Sequence, residues 1–363
     1  MSVAAQKRAA TIVSLTVLAM FAVAGVLAYH AVQYPDREIS GPRVEAKIIV
    51  ERGTSLHEIA RRLAAQGLIE HPTWFRFYAN ERGAAQKVKA GQYSFHSQMT
   101  PSQILNALLE GVPVEEVAVT IPEGKNLVQV AQLVEDAGIC AHQEIEKAAR
   151  DALLAQKLSV PGKTLEGYLF PDTYRFPRGT PAPKVVTAMV KRAHDVFAEL
   201  KAEHGKQVET RKRVDKMDDR TLVLMASLVE KETGAGEERP RIAGVFYNRL
   251  RLPTFVPHLL QTDPTIVYGC TVPVEKSAAC AQFEGRIRRM HLEDKDNPYN
   301  TYTHVGLPPG PISNPGRASL LAAIAPDETP YLYFVSKNDG THYFSKTVQE
   351  HEAAVTKYQR GGK

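Results

Sequence analysis

The sequence lacks the motifs of several large enzyme classes. Its 363 residues contain no Gly-rich phosphate-binding loop, no Gly-x-Ser-x-Gly elbow and no His-Glu-x-x-His motif. Nucleotide hydrolysis, acyl transfer through a serine and zinc-dependent proteolysis therefore lack their usual marks. The twelve histidines are scattered, and His258, His304 and His342 do not have the spacing of metal ligands. The sequence predicts neither a metal site nor a cofactor.

Cysteine is scarce, with three residues in the whole chain. An odd number suits an exported protein poorly, because one thiol must stay unpaired. Cys270 and Cys280 flank a short loop that a disulfide could close, and the alternative is that all three thiols are inert. Cys140 follows an apolar helical pattern and is predicted to be a buried free thiol.

Neither basic nor acidic residues are in strong excess, and the net charge is +5. This balance permits some attraction to acidic polymers but is not typical of nucleic-acid-binding proteins. The cluster from Arg286 to Arg289 is interpreted as a solvated surface or a helix end. No nucleic-acid partner is predicted.

One long uncharged segment lies near the N-terminus, from Ala9 to Pro35. It is long enough to cross a bilayer at roughly 20 residues per crossing. We predict a membrane-anchoring helix over residues 9–33, preceded by a cytoplasmic tail over residues 1–8. Lys7 and Arg8 in this tail indicate that the remainder of the chain is exported across the cytoplasmic membrane. The alternative is a cleaved signal peptide.

A pattern of glycine and apolar residues occurs twice without gaps. The first copy runs from Gly53 to Leu68 and the second from Gly124 to Ile139. Each copy follows a short run of residues that favour a β-strand. Run and copy together predict a strand, a glycine turn and an amphipathic helix that ends at glycine. Such a repeat predicts two related units.

The first copy resembles the LysM-type glycan-binding module, a small fold of strand, helix, helix and strand. We predict a LysM-like domain over residues 44–115, a second repeat-like strand-helix unit over residues 116–160 and a catalytic domain over residues 161–363. Only the first half of the LysM pattern matches. The alternative is a small structural domain that separates the catalytic part from the membrane.

An apolar run from Thr221 to Val229 ends abruptly in Glu230, Lys231 and Glu232. Its apolar residues recur at helical spacing on nearly all sides, which predicts a buried helix. Glu230 would lie in the last turn, where burial and the negative end of the helix dipole disfavour an ionised carboxylate. Such a group suits general acid catalysis at neutral pH. The alternative is a core helix with a solvated Glu-Lys-Glu end.

Two polar segments follow this helix. Leu260 to Tyr268 is predicted to be a loop that enters a short strand, and Asn297 to Pro315 is too rich in Pro, Gly and Asn for regular structure. Long polar loops on a rigid scaffold often carry binding sites. The chain closes with a predicted hairpin, residues 331–345, and an exposed helix.

Six further segments carry a recognisable pattern: LEGYLFPDTYRF, MASLVEKET, GVFYNRL, LQTDPT, YNTYTHVGLPPGPISNPG and YLYFVS. Together with the predicted anchor and the LysM-like start, they resemble the bacterial endolytic murein transglycosylases, over about residues 44 to 350. The resemblance implies an α+β protein with an N-terminal transmembrane helix, a LysM-like small α/β domain and a larger mixed α+β catalytic domain. It also implies a single-pass inner-membrane protein whose C-terminal domains lie in the periplasm. The stretch from Cys270 to Arg289 departs from the family in composition.

The resemblance also implies an activity: a peptidoglycan lyase that cuts nascent glycan strands internally and so terminates their elongation. Peptidoglycan glycan strands are the implied substrate, the cytoplasmic membrane is contacted through the N-terminal helix, and peptidoglycan synthases are the implied protein partners. In this family the catalytic acid is the first glutamate of the V-E-K-E-T motif, which is Glu230 here.

One glutamate is enough for such a reaction. Protonated Glu230 gives its proton to the oxygen between N-acetylmuramic acid and N-acetylglucosamine, and the sugar's C6 hydroxyl attacks C1 to form a 1,6-anhydro end. Because this nucleophile is intramolecular, no second carboxylate has to activate water. Glu232 should point to another side of the helix, since two residues turn by about 200°.

Six polar residues of the two polar segments are predicted to hold the sugar and its N-acetyl group. The alternative for each of them is a role in the loop framework. They are Gln261, Thr262, Asp263, Tyr299, Asn300 and Tyr302.

Two other functions remain open at this point. The first is a muramidase-type hydrolase in which Glu230 works with Asp263 or Asp172, and its product would keep a free reducing end. The second is a non-catalytic, membrane-tethered scaffold that binds glycan.

Overall fold

The computed structural model describes residues 18, 20–26, 28–51, 53–112 and 116–361. The chain divides into two compact units, residues 1–114 and residues 115–363. Both contain helices and short strands, which confirms the predicted mixed α+β class. The finer domain boundaries stay predictions.

The predicted inner-membrane localisation is contradicted. Within the described residues, every helix falls short of the length or the apolar character that crossing a bilayer requires. Of the predicted span over residues 9–33, residues 9–17, 19 and 27 lie outside the described residues.

The smaller unit has the order strand, helix, helix, strand, helix. Strand β1 (Glu45–Val50) pairs antiparallel with β2 (Gly91–His96), and helices α1 (Leu56–Ala65) and α2 (Pro72–Glu81) lie between them in the chain. Helix α3 (Pro101–Glu110) follows. Two aromatic side chains of α2 contribute to the core, since Phe75 is fully buried and Tyr78 is buried, whereas Phe77 is exposed.

The larger unit begins with a similar order, with one more helix between the paired strands. Strand β3 (Glu116–Thr120) pairs antiparallel with β4 (Thr173–Pro177), and three helices connect them. The partner strand β4 therefore comes from the LEGYLFPDTYRFP stretch. The connecting helices are α4 (Leu127–Asp136), α5 (His142–Ala149) and α6 (Ala152–Lys157).

The repeat in the sequence is also a repeat in backbone conformation. The first glycines of the two copies, Gly53 and Gly124, have φ of 89° and 75°, and the second glycines, Gly67 and Gly138, have φ of 69° and 71°. These positive φ values are unfavourable for residues other than glycine, because a Cβ atom would clash with the backbone. The same two glycine turns therefore start and end the first helix of each copy.

The remainder of the larger unit is mostly helical. Its strands β5 (Tyr333–Ser336) and β6 (His342–Ser345) form the predicted antiparallel hairpin. The helices are α7 (Ala182–Glu203), α8 (Gly205–Val214), α9 (Asp219–Glu232), α10 (Arg239–Arg251), α11 (Asp263–Thr271), α12 (Arg289–Leu292), α13 (Arg317–Ile324) and α14 (Val348–Val355).

Helix α9 is the centre of this unit. Every residue from Leu222 to Val229 is buried, as the apolar run predicts, and the helix packs against α10, α11 and α13. Asp218 caps its first turn in a capping box with Thr221. At the other end, Thr233 has an extended backbone, so the helix stops directly after Glu232.

Helix α11 corrects the predicted short strand after Leu260. The run of Thr265, Ile266 and Val267 favours a strand by local propensity. However, Pro264 occupies the first turn of a helix, where it needs no amide hydrogen, and Thr265 and Ile266 are fully buried. Burial outweighs the propensity at this position.

Cys270 and Cys280 form a disulfide with a Cα–Cα distance of 4.5 Å. The bridge ties the end of α11 to the segment that follows it. Cys140 is a free thiol and is half-buried rather than fully buried.

The long loop over residues 297–315 is fixed by buried hydrogen bonds. The Asn314 side chain donates to Glu166 at 3.1 Å and accepts from the Leu169 amide at 2.8 Å. Glu166 also accepts from the Leu127 amide at the start of α4, at 3.1 Å, and from the Tyr268 hydroxyl at 3.0 Å. Burial raises the pKa of Glu166 to about 7 in spite of these donors. Glu166 thus joins three distant parts of the chain.

Replacement of Glu166 by alanine should lower the free energy of unfolding by roughly 2 to 4 kcal/mol, because it leaves buried donors without an acceptor. Urea unfolding followed by circular dichroism measures this change. The matched control is Glu209→Ala, whose side chain is 73% exposed. The control should change stability by less than about 0.5 kcal/mol. Equal effects of the two substitutions would contradict the structural role of Glu166.

Candidate active site

Helix α9 ends with two glutamates in different surroundings. The Glu230 carboxylate accepts a hydrogen bond from Arg239 Nη2 at 3.3 Å and one from the Gly316 amide at 3.0 Å, and its side chain is 5% exposed. Gly316 is the N-cap of α13 and offers no capping side chain of its own. Glu230 therefore places a carboxylate at the N-terminus of α13, where the helix dipole favours negative charge.

The surroundings of Glu230 are tightly packed. A Cβ atom on Gly124 would lie 3.4 Å from Glu230 Cγ, and one on Gly316 would overlap the Glu123 carboxylate. Glu123 lies 3.7 Å from the same Arg239 nitrogen atom that contacts Glu230. Burial raises the pKa of Glu123, and the negative charge of Glu230 raises it further. The turn of the second repeat copy thus holds Glu230 in an ionic network.

Glu232, in contrast, lines a cavity of about 560 Å³. Its carboxylate accepts a hydrogen bond from Thr262 Oγ1, and Arg249 and Asp263 line the same cavity. Burial raises the pKa of Glu232 to about 7; the hydrogen bond from Thr262 opposes this rise and the charge of Asp263 adds to it. A carboxyl with such a pKa can donate a proton near neutral pH.

Four of the six predicted sugar-binding residues gather around Glu232. Gln261, Asp263 and Tyr302 line its cavity, and Thr262 contacts its carboxylate. The Tyr302 hydroxyl donates to Asp263 at 2.7 Å. Gln261 has a φ of 50°, and its amide donates to the Thr301 carbonyl at 3.1 Å. The two polar segments, residues 260–268 and 297–315, therefore meet at the cavity of Glu232.

The other two predicted residues lie in the loop framework. Asn300 is fully buried, and its side-chain amide donates to the carbonyls of His291, Leu292 and Asp294 at 2.7 to 3.1 Å. The Tyr299 ring packs on Tyr268 with ring centroids 4.8 Å apart. These contacts fit the alternative that both residues support the loop.

Several residues that line this cavity were not predicted from the sequence, among them Arg249, Tyr333 and His351. Arg249 of α10 is 6% exposed and donates to the Leu332 carbonyl at 2.7 Å. His351 of α14 stacks on Tyr333 with ring centroids 5.2 Å apart. Burial lowers the pKa of His351, and its Nδ1 has no hydrogen-bond partner in the described part of the chain. The C-terminal helix, predicted only as an exposed helix, supplies one wall.

A model of the YceG-like family matches residues 48–357. The chain belongs to the YceG-like family. A protein of Bacillus subtilis named endolytic murein transglycosylase is 33% identical, over 87% of this chain and 85% of that protein. A protein of the same name from Streptococcus pneumoniae is 29% identical over 85% of this chain, which spans 57% of that protein.

The family also has a solved structure. The crystal structure of a yceG-like protein from Listeria monocytogenes is 32% identical and superposes with a TM-score of 0.54, covering 86% of this chain and all of that one. Together these comparisons confirm the family resemblance that the sequence motifs indicate.

The environment of Glu232 can be tested without substrate. In NMR titrations of ¹³C-labelled glutamate carboxyls, the Glu232 signal should titrate near pH 7, where its pKa is raised. Thr262→Val should raise this pKa further, because a hydrogen bond to the ionised form is lost. Asp263→Asn should lower it, because a neighbouring negative charge is removed. Glu232→Gln identifies the signal, and a titration near the usual value of about 4.3 would contradict the burial argument.

Proposed function

We propose that this chain is an endolytic lytic transglycosylase of peptidoglycan. It cleaves between N-acetylmuramic acid and N-acetylglucosamine within nascent glycan strands, leaves 1,6-anhydro ends and so terminates strand elongation. The observation that carries the proposal is a glutamate with a pKa of about 7 in a cavity lined by Gln261, Asp263 and Tyr302. The names of the curated relatives support the same substrate and reaction.

The reaction needs one proton donor and no external nucleophile. Protonated Glu232 gives its proton to the glycosidic oxygen as the bond from this oxygen to C1 breaks. The C6 hydroxyl of the muramic acid forms the new bond to C1, and the Glu232 carboxylate takes the proton of this hydroxyl. Arg249, which lines the same cavity, stabilises the carboxylate between the two proton transfers. Glu232 ends the cycle protonated again.

The geometry favours Glu232 over Glu230 as the acid. Both carboxylate oxygens of Glu230 already accept hydrogen bonds, one from Arg239 and one from the Gly316 amide at the N-terminus of α13. These contacts tie the carboxylate to the protein scaffold. A proton donor needs an environment that allows both protonation states, which the cavity around Glu232 provides. The sequence-based choice of Glu230 stays the alternative, and the two variants below distinguish them.

A hydrolase remains the second candidate because Asp263 lines the cavity of Glu232. In that reaction Asp263 activates a water molecule, and the product ends are reducing sugars. Asp172 is a less suitable partner, since it pairs with Arg192 at 2.9 Å.

Glycan strands digested by the wild-type protein should end in anhydromuramic acid, which mass spectrometry separates from reducing ends by one water. Glu232→Gln should lower kcat by about 10²- to 10⁴-fold, the usual contribution of a general acid. Glu230→Gln should retain more activity and lose stability instead. The wild-type kcat/KM should fall as the pH rises through about 7, because the acid loses its proton.

Thermal unfolding of both variants provides the control. If Glu230→Gln abolishes cleavage while its melting temperature is unchanged, Glu230 is the acid. Reducing ends would identify the hydrolase, and full activity of both variants would exclude glutamate catalysis at this helix end.

The smaller unit is proposed to contact glycan as a LysM-like module. Its order of strand, helix, helix and strand, with β1 and β2 antiparallel, supports this proposal. Hydrogen exchange of full-length Glu232→Gln protein with uncleaved glycan strands should show protection within residues 45–112. Protection confined to the larger unit would favour a purely structural domain. An association with peptidoglycan synthases stays a prediction.

A further inference from the structure

A second cavity, of about 760 Å³, lies beside the cavity of Glu232. Asp263 lines both of them, so the two spaces adjoin at the start of α11. Much of the second wall is apolar and open to solvent; Val267, for example, is 37% exposed. The apolar side chains that line this cavity are Val128, Pro264, Val267, Val272, Ile287 and Ile312.

Two cationic side chains line this second cavity, Lys231 and Arg286. Among the side chains that the structure describes, neither has an ion-pair partner, and Lys231 reaches only the Gly124 carbonyl at 3.4 Å. The neighbouring arginines differ, because Arg288 pairs with Glu284 at 2.5 Å and Arg289 with Glu293 at 2.7 Å. The one acidic side chain of the cavity is Asp263. Two cationic groups and one carboxylate give the cavity a net positive charge.

Arg286 is held at this cavity by the disulfide-bridged segment. Ile287 packs against the cluster that contains Ile266 and both bridged cysteines. Gly285, with a φ of 84°, lets the backbone turn immediately before Arg286.

We propose that the second cavity binds the carboxylate-bearing peptide substituent on the lactyl group of muramic acid. Lys231 and Arg286 pair with its carboxylates, and the apolar wall contacts its short aliphatic side chains. The inference rests on the proposed function: Asp263 lines both cavities, so a muramic acid bound at Glu232 has the second cavity beside it. Arg286 is then a specificity-determining residue that makes the enzyme prefer strands with attached peptides.

The test compares glycan strands that carry stem peptides with strands from which an amidase has removed them. Wild-type kcat/KM should be about tenfold higher on peptide-bearing strands, as one or two charge-assisted hydrogen bonds allow. Arg286→Gln should reduce this ratio towards one, and Arg286→Glu should reduce it further. The matched control is Arg288→Gln, because Arg288 is a nearby arginine that does not line the cavity and should leave the ratio unchanged.

A direct binding measurement separates this inference from the proposed function. Calorimetry with a soluble muramyl peptide should show binding to the wild-type protein that Arg286→Gln weakens by about tenfold. If strands are cleaved but the ratio is near one in the wild-type protein, or does not change in Arg286→Gln, the inference is overturned. If no strand is cleaved, the proposed function fails, and the calorimetry alone decides whether the cavity binds the peptide.

Discussion

The burial of helix α9 on all of its sides is the constraint on which the larger unit depends. Between Leu222 and Val229 its side chains can only pack, apart from Ser227, whose hydroxyl accepts from the Ile312 amide at 3.1 Å. Charged groups are therefore confined to the two ends of the helix, with Asp219 and Arg220 in the first turn and the Glu-Lys-Glu sequence in the last. Because consecutive residues turn by about 100°, the Glu-Lys-Glu end presents its side chains in different directions.

Glu166 provides the second constraint. A fully buried carboxyl is costly unless donors surround it, and here the donors come from α4, α11 and the 297–315 loop. These elements are distant in the chain. Because all of them donate to Glu166, this carboxyl holds the irregular 297–315 loop against α4 and α11. The polar residues of the site can consequently hold their positions although several of them lie outside helices and strands.

Local periodicity explains what could be predicted from the sequence. The apolar spacing of α9, the glycine positions of the repeat and the turn of the β5–β6 hairpin each follow from a few neighbouring residues. Helix α11 could not be predicted in this way, because burial outweighs the strand propensity of its β-branched residues. Four predicted sugar-binding residues meet around Glu232. Tyr299 and Asn300 were predicted from the same kind of polar, loop-forming segment, but their side chains pack within the loop framework.

The remaining site residues depend on tertiary packing alone. Arg249 and His351 come from α10 and α14, and no spacing in the chain relates them to Glu232. The pKa of Glu232 likewise results from burial, which a sequence pattern does not specify. The choice between Glu230 and Glu232 therefore could not be made from their shared motif: Glu230 meets the N-terminus of α13, Lys231 the second cavity and Glu232 the first. Since Thr233 ends the helix at once, these three consecutive side chains enter three different surroundings within a single turn.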